Sequence, residues 1–88
     1  MNKKYCFFDT VFSLPDEFPI RVYGKGELSQ LYFPHASTAD GARRSFVRMI
    51  TRCSSCYDML CAMGYRKGSH LLTPLMVACI VHHCGSPE

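Results

Sequence analysis

No apolar run in this 88-residue chain approaches the roughly 18 residues needed to cross a bilayer, so it is expected to be soluble and to make no membrane contact. Acids are scarce as well. The seven are Asp9, Asp16, Glu17, Glu27, Asp40, Asp58 and Glu88, and no two fall where an expected element would converge them for general acid–base work. A Gly-rich phosphate loop is missing, since Gly24-x-Gly26 is too short and lacks the residues that follow in such loops. With no cofactor motif either, the chain is expected not to be an enzyme and to need no cofactor. A Cys–His pair that meets only in the fold is the one nucleophilic arrangement the sequence leaves open.

Eighty-eight residues make one domain, near the size at which burial only just offsets chain entropy. Six cysteines in such a chain would suggest a disulfide framework in a secreted protein. Lys3 and Lys4 resemble a signal n-region, but the apolar run over residues 5–14 is broken by Asp9 and no small-residue cleavage site follows. A cytoplasmic protein with reduced thiols is therefore expected.

Charge is unevenly spread. The formal total is +3, yet residues 1–20 carry −1, residues 68–88 carry −1, and residues 21–67 carry eight Lys or Arg against three acids, +5. The middle of the chain is the candidate anion-facing surface. Within it, at roughly 100° per residue, Ala39, Ala42, Phe46, Met49 and Ile50 share one side of a helix, while Arg44 and Arg48 point away from it. Ser37 reads as the N-cap of this helix, with Asp40 in its first turn, and Arg52 as its end.

A shorter helix is expected before it over residues 27–33, with Leu28, Leu31 and Tyr32 inward and Pro34 stopping it. Pro19 to Tyr23 alternates and reads as extended, and Gly24-Lys25-Gly26 reads as a turn. A third helix should start at Ser54 or Ser55 and end at Gly64, after which residues 65–72 turn at Lys67-Gly68 as a small hairpin or a loop. Thr73-Pro74 starts a fourth, ended by Gly85, with Val77, Ile80, Val81 and Cys84 on one face. Opposite them lie Leu75, Ala78, Cys79 and His82. A helix apolar almost all round must be covered, either by the aromatic segment of residues 1–17 (Tyr5, Phe7, Phe8, Phe12), an arm or strand, or by a partner; the arm is the preferred cover.

Taken together, Tyr23-Gly24-Lys25, Glu27-Leu28, Leu31-Tyr32-Phe33-Pro34, Ala42-Arg43-Arg44, Gly64-Tyr65, Leu72-Thr73-Pro74, Val77 and Gly85-Ser86-Pro87 resemble the small bacterial family known as domain of unknown function 4248, over about residues 18–88. The resemblance implies a compact, mostly helical domain in which residues 27–52 read as a helix-turn-helix, and it carries no assigned activity. Met49 stands where a tryptophan is expected in the family, Leu75-Met76 where polar residues are, and the cysteines lie outside the pattern.

The expected architecture is thus mainly α, a small bundle of four short helices with a helix-turn-helix-like unit and room for a minor β-hairpin. Its core should contain Leu28, Leu31, Tyr32, Ala42, Phe46, Ile50, Leu60, Val77, Ile80 and Val81. Arg43, Arg44, Arg48 and Arg52, with Arg66 and Lys67 at a turn tip, are the candidate contacts to double-stranded DNA, in competition with a merely solvated face. Cys53-x-x-Cys56 with His82-His83-Cys84 has zinc-ligand residue types, but lacks the spacing of two compact knuckles, so no metal is expected; His35 and His70 are read as loop residues. The resulting expectation is a small DNA-binding regulatory protein. The alternative is a protein–protein interaction module or homodimer using residues 75–84 and the aromatic arm.

Overall fold

Local chemistry sets most of the element ends in the computed structural model, which describes residues 5–7, 10–66 and 68–87. Lys67 and Phe8, both singled out in the sequence, lie outside the described residues. In chain order the elements are β1 (Cys6–Phe7), β2 (Thr10–Val11), β3 (Tyr23–Gly24), α1 (Lys25–Tyr32), α2 (Ala39–Arg52), α3 (Ser54–Ala62), β4 (Leu71–Leu72) and α4 (Pro74–Cys84). The chain is mainly α, with β1 and β2 paired antiparallel in the N-terminal arm and β3 paired antiparallel with β4. Among the described residues, no helix is long and apolar enough to cross a membrane.

Several caps fall where the residue types put them. The Thr73 hydroxyl accepts the Met76 N–H at 3.3 Å, Pro74 occupies the first helical position, and Gly85, at φ 82°, ends α4. Gly64, at φ 103°, follows α3, and its N–H donates to Cys61 O while Tyr65 N–H donates to Leu60 O. That is a Schellman closure, which needs the left-handed conformation glycine adopts without strain.

Other expectations need correction. Thr38, not Ser37, caps α2, because its hydroxyl accepts the Gly41 N–H at 2.9 Å; Asp40 is then free to pair with Arg43. α1 begins at Lys25, absorbing the expected turn: Gly24 is extended (φ −66°, ψ 143°), and its N–H donates to the Glu27 carboxylate at 3.3 Å. Neither Ser54 nor Ser55 caps α3, since Cys53 serves as C-cap of α2 and N-cap of α3 at once. Among the described residues of 65–72 no strand pairs with another of that stretch. Leu72 instead pairs with Tyr23 and Leu71 with Gly24, a long-range closure that joins the start of α1 to the start of α4.

Phe46, Leu28, Ile50, Leu60, Ile80 and Val77 are fully buried, and Ala42 and Val81 nearly so, as the periodicity requires. Leu31 is 42% exposed and leaves the expected core, and Ala39, read as part of the apolar side of α2, is exposed. α1 is only eight residues long and seals itself with Leu28 and Ser29, whose hydroxyl donates to Lys25 O, leaving Leu31 on the outer side. The core also takes in Phe12, Tyr23, Tyr65, Leu72, Ala78 and Cys79.

Tyr32 is half-buried, its ring centroid 5.8 Å from that of Phe46 and its hydroxyl donating to Gly85 O, which ties α1 to the end of α4. Burial pushes its phenol above the ordinary value of 10. Tyr32→Phe should lose about 1 kcal/mol at neutral pH, one net hydrogen bond. In the wild type the folded state holds the phenolic proton after the unfolded chain has released it, so stability is complete below about pH 10 and falls as pH rises past it. Burial raises Tyr65 in the same direction, so denaturant midpoints followed from pH 8 to 11 should fall less steeply in Tyr32→Phe without becoming flat.

Candidate functional site

Once Thr38 fixes the start of α2, the four-residue spacing of Ala42, Phe46 and Ile50 turns those side chains into the core and leaves Arg44, Arg48 and Arg52 exposed along the opposite edge. Arg43 sits beside them, exposed, with its guanidinium on the Asp40 carboxylate. Among the described residues, Arg44, Arg48 and Arg52 have no ion pair.

The other wall comes from far along the chain. Pairing of β3 with β4, together with the Lys25 N–H donating to His70 O at 2.7 Å, brings residues 68–70 against the first turn of α1. The result is a surface cleft of about 600 Å³ lined by Lys25 and Gly26, by Arg43, Arg44 and Arg48, and by His70. Arg48 also borders a second hollow of about 450 Å³ with Arg52 and Phe33. Arg66 is exposed in the turn closed by its N–H on Ser69 Oγ and borders neither hollow.

Lys25 is the residue sequence reasoning missed, having read it as part of a glycine turn. It is only 5% exposed, and its ammonium lies 5.1 Å from the centroid of the Tyr65 ring. Burial lowers its pKa, and the charge of Arg43 lowers it further. A cationic cleft in which cations strain one another is a site where an anion lowers the energy of the whole group. The remaining acid at this end of α1, Glu27, is committed to Arg21 at 2.8 Å, and that hydrogen bond holds its carboxyl below the usual range.

The metal-type residues are regrouped rather than scattered. Cys56, Cys79 and His83 place their ligand atoms within 4.8 Å of one another, and neither Cys53 nor His82 belongs to that group. His82 Nδ1 instead accepts the Ser13 N–H at 2.9 Å. All six cysteines are free thiols. The sequence grouped Cys53 with Cys56, whereas the packing of α3 on α4 brings Cys79 to Cys56 instead.

Compared with known proteins, residues 19–87 match the family model described as "Domain of unknown function (DUF4248)". No curated protein and no solved structure matches the chain.

Proposed function

The chain belongs to the family described as domain of unknown function 4248, and from its own surface chemistry we propose that it is a small regulatory protein that binds double-stranded DNA, with α2 and the cationic cleft facing the phosphate backbone. The observation that carries this reading is the cleft itself. Lys25, Arg43, Arg44 and Arg48 converge on one concave surface opposite the buried face of α2, and among the described residues no acid lines that cleft, although Asp40 pairs with Arg43. Arginine guanidinium forks match phosphate oxygens in pairs, and a phosphate beside Lys25 would offset the burial and the Arg43 repulsion that both act against its charge. α1 and α2 play the parts of the two helices in a helix-turn-helix, with α2 as the element presented to DNA; residues 33–38 link them, longer than the usual turn of about three to four residues. On this reading the protein acts by binding rather than catalysis, in the cytoplasm.

The rival, an interaction module built on residues 75–84 and the aromatic arm, has less surface to use. Met76, Val77, Ala78, Cys79, Ile80 and Val81 are all buried within the chain.

Fluorescence anisotropy on a mixed-sequence duplex at several salt concentrations tests the proposal. Binding should weaken linearly on a log–log plot, and the slope should become shallower by about 0.9 for each phosphate-contacting Arg removed. Arg43, Arg44 and Arg48 changed together to Ala should therefore lower both affinity and slope. Absence of binding by the wild type at low salt, or an unaltered affinity and slope in a folded triple variant, sinks the DNA reading and leaves the rival in front.

A further inference from the structure

The cysteine and histidine side chains at the α3–α4 junction have no part in DNA binding, and three of them, Cys56, Cys79 and His83, converge. Cys79 and His83 are four residues apart on α4, hence on one face of the helix. Cys56, in the first turn of α3, packs against that face, with both Cys56 and Cys79 at 0% exposure. Their ligand atoms and that of His83 lie within 4.8 Å of one another, and Cys79 Sγ is 3.7 Å from His83 Nδ1. Cys84, next along α4, is half-buried.

Small buried thiols are common core residues and usually stand apart among apolar neighbours. Here two sulfurs and one imidazole share a single locus. From Zn–S of about 2.3 Å and Zn–N of about 2.0 Å, a tetrahedral zinc ion places sulfur and nitrogen roughly 3.6 Å apart and two sulfurs roughly 3.8 Å apart. The Cys79–His83 separation of 3.7 Å already meets that spacing. We propose that Cys56, Cys79 and His83 form a zinc-binding site that ties α3 to α4, with the fourth tetrahedral position open to water or another donor.

The thiol of Cys79 donates to Cys56 O at 3.9 Å, so α3 and α4 already meet at these two residues, and coordination displaces the protons of both thiols. His83 Nδ1 also lies 2.9 Å from Cys79 O, a contact that coordination through this nitrogen replaces. Two thiolates and a neutral imidazole make a zinc site of three protein ligands with one tetrahedral position open, and soft sulfur donors discriminate against magnesium, calcium and manganese.

Cobalt(II) reports such a site directly, because tetrahedral thiolate coordination gives intense ligand-field bands in the red and a sulfur-to-metal charge-transfer band in the near ultraviolet. The full chain, reduced and stripped of metal, should develop both bands with saturation at one cobalt per chain, and zinc should abolish them. Cys79→Ser and His83→Gln should each weaken cobalt binding at least about tenfold. Cys6→Ser and Cys53→Ser should leave it unchanged. Should Cys79→Ser fail to fold, His83→Gln at its half-buried position decides, together with the wild-type Tm, which should climb with zinc concentration by mass action. Absent cobalt bands, a Tm indifferent to zinc, full binding by folded Cys79→Ser or His83→Gln, or lost binding in folded Cys53→Ser each overturn the assignment.

Discussion

Phe46→Ala should cost about 3 to 5 kcal/mol, a large share of the roughly 5 to 15 kcal/mol that holds a domain together. Phe46 is the largest fully buried side chain, placed in the middle of α2 with the Tyr32 ring 5.8 Å away. Truncation removes apolar contact from α1 and α2 together and leaves a cavity that neither helix can close, since Leu28 and Ile50 beside it are already at 0% exposure. Urea denaturation followed by circular dichroism should show the midpoint falling with little change in slope. The consequence reaches the surface. The orientation of α2 that buries Phe46 is the same one that exposes Arg44 and Arg48, so an unchanged midpoint would mean the helix is rotated and the cationic cleft misassigned.

Helix content was legible in the chain because its determinants are local. The spacing of Ala42, Phe46 and Ile50 fixes a face without reference to anything distant, and Thr73-Pro74, Gly64 and Gly85 mark ends by backbone chemistry alone. Half of the cleft followed from the same periodicity, namely Arg43, Arg44 and Arg48. Its other half did not, because Lys25 and His70 meet only through β3 and β4, strands of two residues each that are too short to show an alternation. Cys79 was hidden for a related reason. It read as the polar-free back of an apolar helix, and nothing in its immediate sequence says that Cys56, 23 positions earlier, packs against it. Leu31 was misread because a helix as short as α1 buries one narrow stripe, and Leu28 with Ser29 fills it.

Phe12→Ala should destabilise the protein by about 3 kcal/mol, the lower end for a buried phenylalanine, because water can reach the vacated space from the side of the arm. The family match begins at residue 19, so residues before it could have been a mere extension. Phe12 argues otherwise. It is 5% exposed, its ring lies 5.2 Å from that of His82 and 6.3 Å from that of His83, and the Ser13 N–H beside it donates to His82. The Phe12 N–H in turn donates to Tyr5 O at 2.8 Å, so the β1–β2 hairpin and the residue that anchors it to α4 are one unit. α4 carries no Asp, Glu, Lys or Arg, and a helix so largely apolar needs cover on more than one side. Loosening Phe12 should therefore uncover apolar surface near His82 and His83, seen as increased binding of a hydrophobic dye and, in light scattering after gel filtration, as self-association that grows with concentration. A Phe12→Ala protein with wild-type stability and no added dye binding would make the arm an appendage, and the cover of α4 would then have to come from another chain.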